Sequence, residues 1–489
     1  MRTHAAGYTW RVDGRYDLIC VGAGTAGFAA ADAARRLGKR VLLVSGPGDL
    51  GGTCILRGCM PAKTLLSSTE RLAEVSSAND VGVRARDIRA DLPAIVARKR
   101  ELIDYFAEDR RHDLEAFPLV RGAARFLDGE TLAVGERTYA GGRFVIATGS
   151  RIVLPEIPGL AACRPFTSDD ALEMTSPPAS LLVLGGGPVG CEFAQYFARL
   201  GTRVTLVQAE PTLLRNDDPD IGEAVGAFLT SDGIEILTGT DARAFEAEPG
   251  GGCTATLERG AERLVRRVER VMVATNRLPN VAGLDLARAG VVASERGIAT
   301  DAYLRTTNPA TFAAGDVLGR RCLVHVAAYA GALAARNAFA DAPQPADFDR
   351  FEAHAVYTQP HVAAAGLTER ACRARGVAIR VRRHPFVDIG KALVSGEPAG
   401  FVKMIAREDD GRILGVALVG NEAIDLVGEA IAFIDRGATV RDVAAMPHLH
   451  PALGEIFGRV AEDFEERQEP LPAVAGLRAD GAIEAAPLG

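Results

Sequence analysis

The sequence predicts an α/β protein with two parallel-sheet units and a C-terminal α+β portion. Three observations carry this. Asp17-Leu-Ile-Cys-Val21 and Ser180-Leu-Leu-Val-Leu184 are apolar runs of buried-strand length, and each leads into a G-x-G-x-x-G turn and a helix-forming stretch. A second apolar strand follows each of these helices, Val41-Leu-Leu-Val44 and Val204-Thr-Leu-Val207. From about Phe351 the pattern becomes strand-rich and then helical.

At 489 residues the chain can hold three or more domains and a large core. A formal net charge of −7 with mixed signs leaves no basic footprint for nucleic acid. No apolar run approaches the length of a membrane span. Met1 to Tyr16 has arginines but no apolar core, so it does not read as a secretory signal. Eight cysteines in a chain this long are not a disulfide framework and fit a reducing, cytoplasmic compartment.

The first turn is Gly22-Ala-Gly24-Thr-Ala-Gly27, followed by an Ala-rich helix to Leu37. Its glycines permit a tight turn, close approach to a pyrophosphate, and helix–strand packing, so this is a Rossmann-like dinucleotide fingerprint. Ser45 stands at the end of the second strand, where an acid ordinarily grips a ribose; a hydroxyl bonds that ribose less strongly. Residues 68–113 read as helical, with Ala-Arg and Lys-Arg clusters on solvated faces. Residues 116–146 read as short strands, ending at Phe144-Val-Ile-Ala-Thr-Gly-Ser150.

The second turn, Gly185-Gly-Gly187-Pro-Val-Gly190, opens a helix carrying Glu192. Two fingerprints imply two dinucleotides. Gln208 occupies the selector position after the second strand, and it neither repels a 2′-phosphate nor neutralises it. Glu210 weighs against the phosphate and Arg203 and Arg215 for it, a slight lean to NAD.

Between the first unit and the charged helices lies Gly51-Gly-Thr-Cys-Ile-Leu-Arg-Gly-Cys-Met-Pro-Ala-Lys63. A regular helix holds positions i and i+5 about 8–9 Å apart. A disulfide requires Cα atoms within about 7 Å. If Cys54 and Cys59 are bridged, the backbone there departs from a regular helix, and Gly58 can supply the departure. Taken alone, the pair reads equally as a redox couple or as two buried thiols. Cys20, Cys163, Cys191, Cys253, Cys322 and Cys372 have no metal-type spacing and are expected as small buried or half-buried residues. Near the C-terminus, His448-Leu-His450-Pro-Ala-Leu-Gly-Glu455 taken alone reads more often as structural; beside a cysteine pair it offers an imidazole for proton transfer at a thiol and a carboxylate to orient it.

From about Tyr16 to about Phe464 these motifs, in this order, resemble the FAD-dependent pyridine nucleotide–disulfide oxidoreductases. The resemblance implies two Rossmann-like domains, for FAD and NAD(P), and an α+β dimerisation domain. The boundaries it implies are 1–155 and 281–348 for FAD, 156–280 for NAD(P), 349–467 for dimerisation and 468–489 for a flexible tail. FAD would be held by Gly22, Gly24, Gly27, Ser45, Gly52, Thr53, Thr148, Gly149, Gly315, Asp316 and Ala327. NAD(H) or NADP(H) would be held by Gly185, Gly187, Gly190, Gln208, Asn276 and Arg277. Cys54 would exchange with the substrate, and Cys59 would be the sulfur next to the flavin. Lys63 would pair with Glu192, and His450, held by Glu455, would move the proton from the partner subunit of a homodimer. His361 stands where the family more often has Glu, and His448 reads as a neighbour.

The implied substrate is a small-molecule or lipoyl-domain dithiol/disulfide, with dihydrolipoamide first. Hg(II) is the alternative, then glutathione disulfide. Ile55-Leu-Arg-Gly58 departs from the dihydrolipoamide pattern; the lack of an N-terminal C-x-x-C and of a cysteine pair in the tail weighs against the Hg(II) alternative, and with Cys372 last no tail relay is expected. The intact Cys54, Cys59, His450 and Glu455 weigh against a non-enzymatic complex subunit.

Overall fold

A computed structural model describes residues 2–3, 9–10, 13–320 and 322–465. The expected tail, 468–489, lies outside the described residues. The chain divides into two compact units. One runs to Ala62 and takes in Ala97–Val153 and Asn276–Phe348; the other comprises Lys63–Val96, Leu154–Thr275 and the chain from Asp349 on.

The first unit is organised on a seven-stranded sheet. Gly14–Val21 lies between Val41–Ser45 and Arg137–Ile146, parallel to both, and Thr311–Ala313 joins Arg137–Ile146 in parallel. Every residue of Val41–Ser45 is buried, as expected of a parallel strand covered on both faces. Alanines make the helix packing close. Thr25–Arg36 buries Ala26, Ala30, Ala31 and Ala34, and Val324–Phe339 buries Ala327, Ala330, Ala334 and Ala335 in the same cluster. A Cβ added to Gly331 would stand 2.0 Å from the Ala26 carbonyl oxygen, so this crossing tolerates no larger residue.

The second unit holds a four-stranded parallel sheet with Ser180–Leu184 between Arg203–Val207 and Arg270–Val273. It also holds a three-stranded antiparallel sheet, Asp241–Ala247, Cys253–Arg259 and Glu262–Val268. From Ala353 a five-stranded antiparallel sheet forms, with Ala423–Arg436 packed on it. The expected boundary at 280/281 moves, because Asn276–Pro279 pairs with Ser150–Val153 and so belongs to the first unit.

Two other expectations change. Residues 68–113 are not continuously helical: Cys59–Ser77 and the turn Ala78–Val81 are followed by an irregular stretch before Leu92–Leu114. Within Leu92–Leu114, Lys99 is buried rather than solvated, while its neighbours Arg98 and Arg100 are exposed. Leu92, Val96 and Lys99 fall on one helical stripe, and that stripe faces inward.

Lys403 is 1% exposed and lies 3.1 Å from Asp218, 2.9 Å from Asp220 and 2.5 Å from Glu369. Burial opposes its charge, but Asp220, Glu369 and Asp218 together hold its pKa above the ordinary lysine value. Lys403→Ala leaves the buried Asp218 without a cation, while the half-buried Asp220 and Glu369 keep Arg383 and Arg373, and denaturant unfolding is expected to show a loss of about 3 kcal/mol. Because the folded pKa is raised, this contribution is full below about pH 10.4, the unfolded value, and is lost as pH climbs through the folded one.

Candidate active site

The two glycine turns form the same cradle twice. At the first, Gly22 has φ +119°, and an added Cβ would lie 2.1 Å from the Ala147 carbonyl oxygen. A Cβ on Gly27 would lie 1.7 Å from the Gly22 oxygen. At the second, Gly185 has φ +108° with Ala274 O at 2.8 Å, and Gly190 repeats the 1.7 Å clash with Gly185 O. Gly24 and Gly187 are the N-caps of twelve-residue helices and make no side-chain cap bond, which leaves first-turn N–H groups for an anion. Gly187 has open space around it, and Gly24 meets only the Gly52 backbone. These features fit dinucleotide pyrophosphates at both turns.

The remaining residues expected at FAD converge from three segments of the first unit. Thr148 Oγ1 donates to Asn280 O (2.7 Å), and Asn280 Nδ2 donates to Thr148 O (3.0 Å). Ser150 Oγ donates to Asp316 Oδ2 (2.7 Å), and Arg277 donates to Ser150 through Nε (2.9 Å to Oγ) and Nη2 (3.1 Å to O). Ser150 and Asn280 were not among the expected site residues. Their role as ties arises from pairings across more than 120 positions, which the sequence does not display. Arg277, expected at NAD(P), is built into this network, and Asn276 lies exposed on the same strand. Gly149 has φ +72° and Gly315 has φ +79°. Ser45 and Ala327 are buried.

In the second unit Gln208 is 8% exposed, and its Oε1 accepts the Gly186 N–H at 2.9 Å. Its carbonyl is therefore spent on the glycine turn, leaving the amide NH₂ as donor.

The Cys54–Cys59 segment departs from a regular helix, as a bridge would need, although the two cysteines are thiols rather than a disulfide in this structure. Gly52–Leu56 is a short helix, Arg57 leaves helical geometry at φ −146°, and a new helix, Cys59–Ser77, begins at the second cysteine. A Cβ on Gly58 would stand 2.9 Å from Thr53 O, so glycine is needed where the chain turns. Both cysteines are half-buried.

Lys63 and Glu192 meet. Lys63 Nζ donates to both carboxylate oxygens at 2.9 and 2.8 Å. Glu192 also accepts the Tyr357 N–H at 2.9 Å, and Lys63 Nζ lies 4.4 Å above the Tyr357 ring. With Glu192 buried and these bonds satisfied, the lysine is fixed in place as well as neutralised. A cavity of about 340 Å³ opens beside Lys63, lined also by Tyr196, Arg199 and His361. His361 Nε2 lies 3.4 Å from Glu70, so the imidazole at this position faces a carboxylate.

His450 and Glu455 also meet, with Nδ1 2.9 Å from Oε2. Glu455 accepts the Ala452 N–H as well (2.9 Å). The His450 bond first, and the Ala452 bond second, hold the Glu455 carboxyl below its usual range. The pairing is therefore complete above about pH 4.3 and is lost as pH falls through the depressed value. His450 is 76% exposed, with its second ring nitrogen available for exchange. His448 instead bonds Glu429 at 3.1 Å and is nearly buried.

The cysteines outside the segment divide. Cys20, Cys191 and Cys372 are buried, and burial pushes their thiols up. Cys322 is exposed rather than buried, and Cys163 and Cys253 are joined by a disulfide. The two partners are 90 residues apart, beyond any local spacing rule.

Comparison with known proteins gives consistent matches. Residues 16–331 match the pyridine nucleotide-disulphide oxidoreductase model, and residues 353–461 match that family's dimerisation domain. A mercuric reductase of Streptomyces lividans is 36% identical over 94% of this chain and 98% of its own length. A dihydrolipoyl dehydrogenase of Geobacillus stearothermophilus is 32% identical over 91% of this chain and 95% of its own. Among solved structures, the HOCl-induced flavoprotein disulfide reductase RclA from Escherichia coli, as a Cu(II) complex, superposes with a TM-score of 0.80. It is 25% identical, over 92% of this chain and 99% of that one.

Proposed function

Because the chain belongs to the pyridine nucleotide-disulphide oxidoreductase family, whose members are FAD-dependent flavoproteins, we propose that it moves two electrons between NAD(P)H and a dithiol/disulfide through Cys54 and Cys59. The observation that carries this reading is the joint presence of the broken Cys54–Cys59 segment, the Lys63–Glu192 pair and the His450–Glu455 pair. Bound FAD and NAD(P)H supply the hydride and electron chemistry.

The chain's residues do the rest. The Cys54 thiolate attacks the substrate disulfide, forms a mixed disulfide and releases one thiolate. His450, held by Glu455, gives that leaving sulfur its proton. Cys59 then attacks Cys54, releasing the second thiol and closing the Cys54–Cys59 disulfide. Cys59 opens a nineteen-residue helix, whose first N–H groups favour negative charge on its sulfur. The matched dimerisation domain supports a homodimer in which His450 serves the sulfur pair of the other subunit.

Dihydrolipoamide is the first substrate, and oxidation of it makes NADH; direction follows the reduction potentials. Hg(II) is the second reading, favoured by the relatives named mercuric reductase. Steady-state kinetics with lipoamide, glutathione disulfide and Hg(II) test both, and turnover of none of the three would overturn them.

Nicotinamide choice rests on Gln208, with a slight lean to NAD. Gln208→Glu is expected to shift the NADH/NADPH ratio of kcat/KM toward NADH by roughly tenfold, since a carboxylate accepts from ribose hydroxyls and repels a 2′-phosphate. Gln208→Arg shifts it the other way. An unchanged ratio in both variants removes Gln208 as selector.

A further inference from the structure

The Cys163–Cys253 bond closes a loop around a specific part of the chain. Cys163 ends the turn Leu160–Cys163, and Cys253 opens the strand Cys253–Arg259, with Cα atoms 5.8 Å apart. The enclosed residues include Ser180–Leu184, the Gly185–Gly190 turn, Pro188–Arg199, Arg203–Val207 and Gln208. That is the whole second nucleotide cradle apart from Arg270–Val273 and the wall at Ala274.

Contacts besides the bond hold the two sulfurs' supports together. The Phe245 N–H donates to Pro158 O at 2.8 Å, and a Cβ on Gly159 would lie 1.8 Å from Phe245 O. Phe245 lies on the strand Asp241–Ala247, which pairs with Cys253–Arg259. The turn therefore sits on this sheet through backbone contacts of its own. The two sulfurs differ in access. Cys253 is 1% exposed within an apolar cluster with Leu160, Phe245, Leu257 and Val268, whereas Cys163 is half-buried at its edge.

We propose that Cys163–Cys253 is a second redox couple, separate from Cys54–Cys59, which acts as a clasp on the nicotinamide-binding unit. The proposal rests on the family reading only in naming that unit's ligand. Closing transfers two electrons and two protons from the thiols to a two-electron oxidant such as hydrogen peroxide, which leaves as two waters. Opening begins when an external thiolate attacks Cys163 Sγ. The Cys163–Cys253 bond breaks, a mixed disulfide forms at Cys163, and Cys253 leaves as a thiolate. A second external thiolate then frees Cys163. The Cys253 thiolate emerges in apolar, dehydrated surroundings, which makes it a poor leaving group and opening slow. In closing, the half-buried Cys163 attacks the peroxide as its thiolate, giving a sulfenic acid and the first water. The Cys253 thiol then displaces the second water to form the bond, so neither step needs a free Cys253 thiolate in the apolar cluster. The clasp, once set, persists while Cys54–Cys59 cycles. Cross-linking a loop this long restricts the unfolded unit, so closure raises its resistance to heat and proteolysis.

Alkylation of the denatured holoenzyme without reductant, followed by peptide mapping, tests this. Of the eight cysteines, peroxide-treated protein is expected to show four reactive thiols, Cys20, Cys191, Cys322 and Cys372, and a linked Cys163/Cys253 peptide. Anaerobic NADH adds Cys54 and Cys59 and leaves the linked peptide intact; a strong dithiol under partial denaturation opens it. Opening, or Cys163→Ser, is expected to lower the melting temperature by about 5 °C and to raise proteolysis within 163–253, with NADH oxidation at 25 °C unchanged. Separate alkylation of Cys163 and Cys253 after peroxide, or a linked peptide that opens with NADH as fast as Cys54–Cys59, overturns the proposal. Failure of NADH to release Cys54 and Cys59 overturns the proposed function instead and leaves the clasp standing.

Discussion

Cys54→Ser is expected to lower disulfide-substrate turnover by at least about 10⁴-fold, because the nucleophile of the exchange is gone and serine's hydroxyl cannot form the mixed disulfide. Transfer from NADH to a one-electron artificial acceptor needs no sulfur and should remain within about twofold of wild type. This split separates a missing nucleophile from a damaged fold. The helix break supplies the structural control: Cys54 lies within Gly52–Leu56 and is half-buried, so a serine fits the same backbone. Equal loss of both activities would show that Cys54 supports the fold or the cofactor rather than the exchange.

His450→Ala should slow the same turnover by about 10²–10⁴-fold, the usual share of a general acid–base. Artificial-acceptor activity should again be nearly untouched. Glu455→Gln should give a smaller loss, because the imidazole remains but its orientation and charge are less well held. The shared-site reading adds a sharper test. Mixed dimers of Cys54→Ser and His450→Ala protomers rebuild one intact site and leave the other doubly defective. With complete random exchange about half the dimers are mixed, so roughly a quarter of wild-type activity returns if sites act independently. No recovery after verified exchange would assign each cysteine pair the histidine of its own chain.

Much of this site was legible because its chemistry is written locally. The two glycine turns are short-range patterns, and a Cβ added at Gly27 or Gly190 would stand 1.7 Å from the Gly22 or Gly185 carbonyl oxygen, which is why no other residue serves there. Cys54, Cys59 and Gly58 lie within six residues, and His450 and Glu455 within another six, so turn geometry alone brings each set together. Lys63 and Glu192 are 129 positions apart, and it was the family resemblance that paired them.

What the sequence by itself determined, then, is the chemistry with short contour length: two dinucleotide turns, a thiol pair at a helix break and an imidazole with its carboxylate. The tertiary structure decided what depends on distant segments meeting. It set Ser150 between Arg277 and Asp316, turned Lys99 inward on the Leu92–Val96 stripe, and gathered three carboxylates around Lys403. It also joined Cys163 to Cys253 across 90 residues. The physical reason is common to all of these. Periodicity and spacing report which face of an element is apolar, but burial and long-range pairing are fixed only when that face is packed against another.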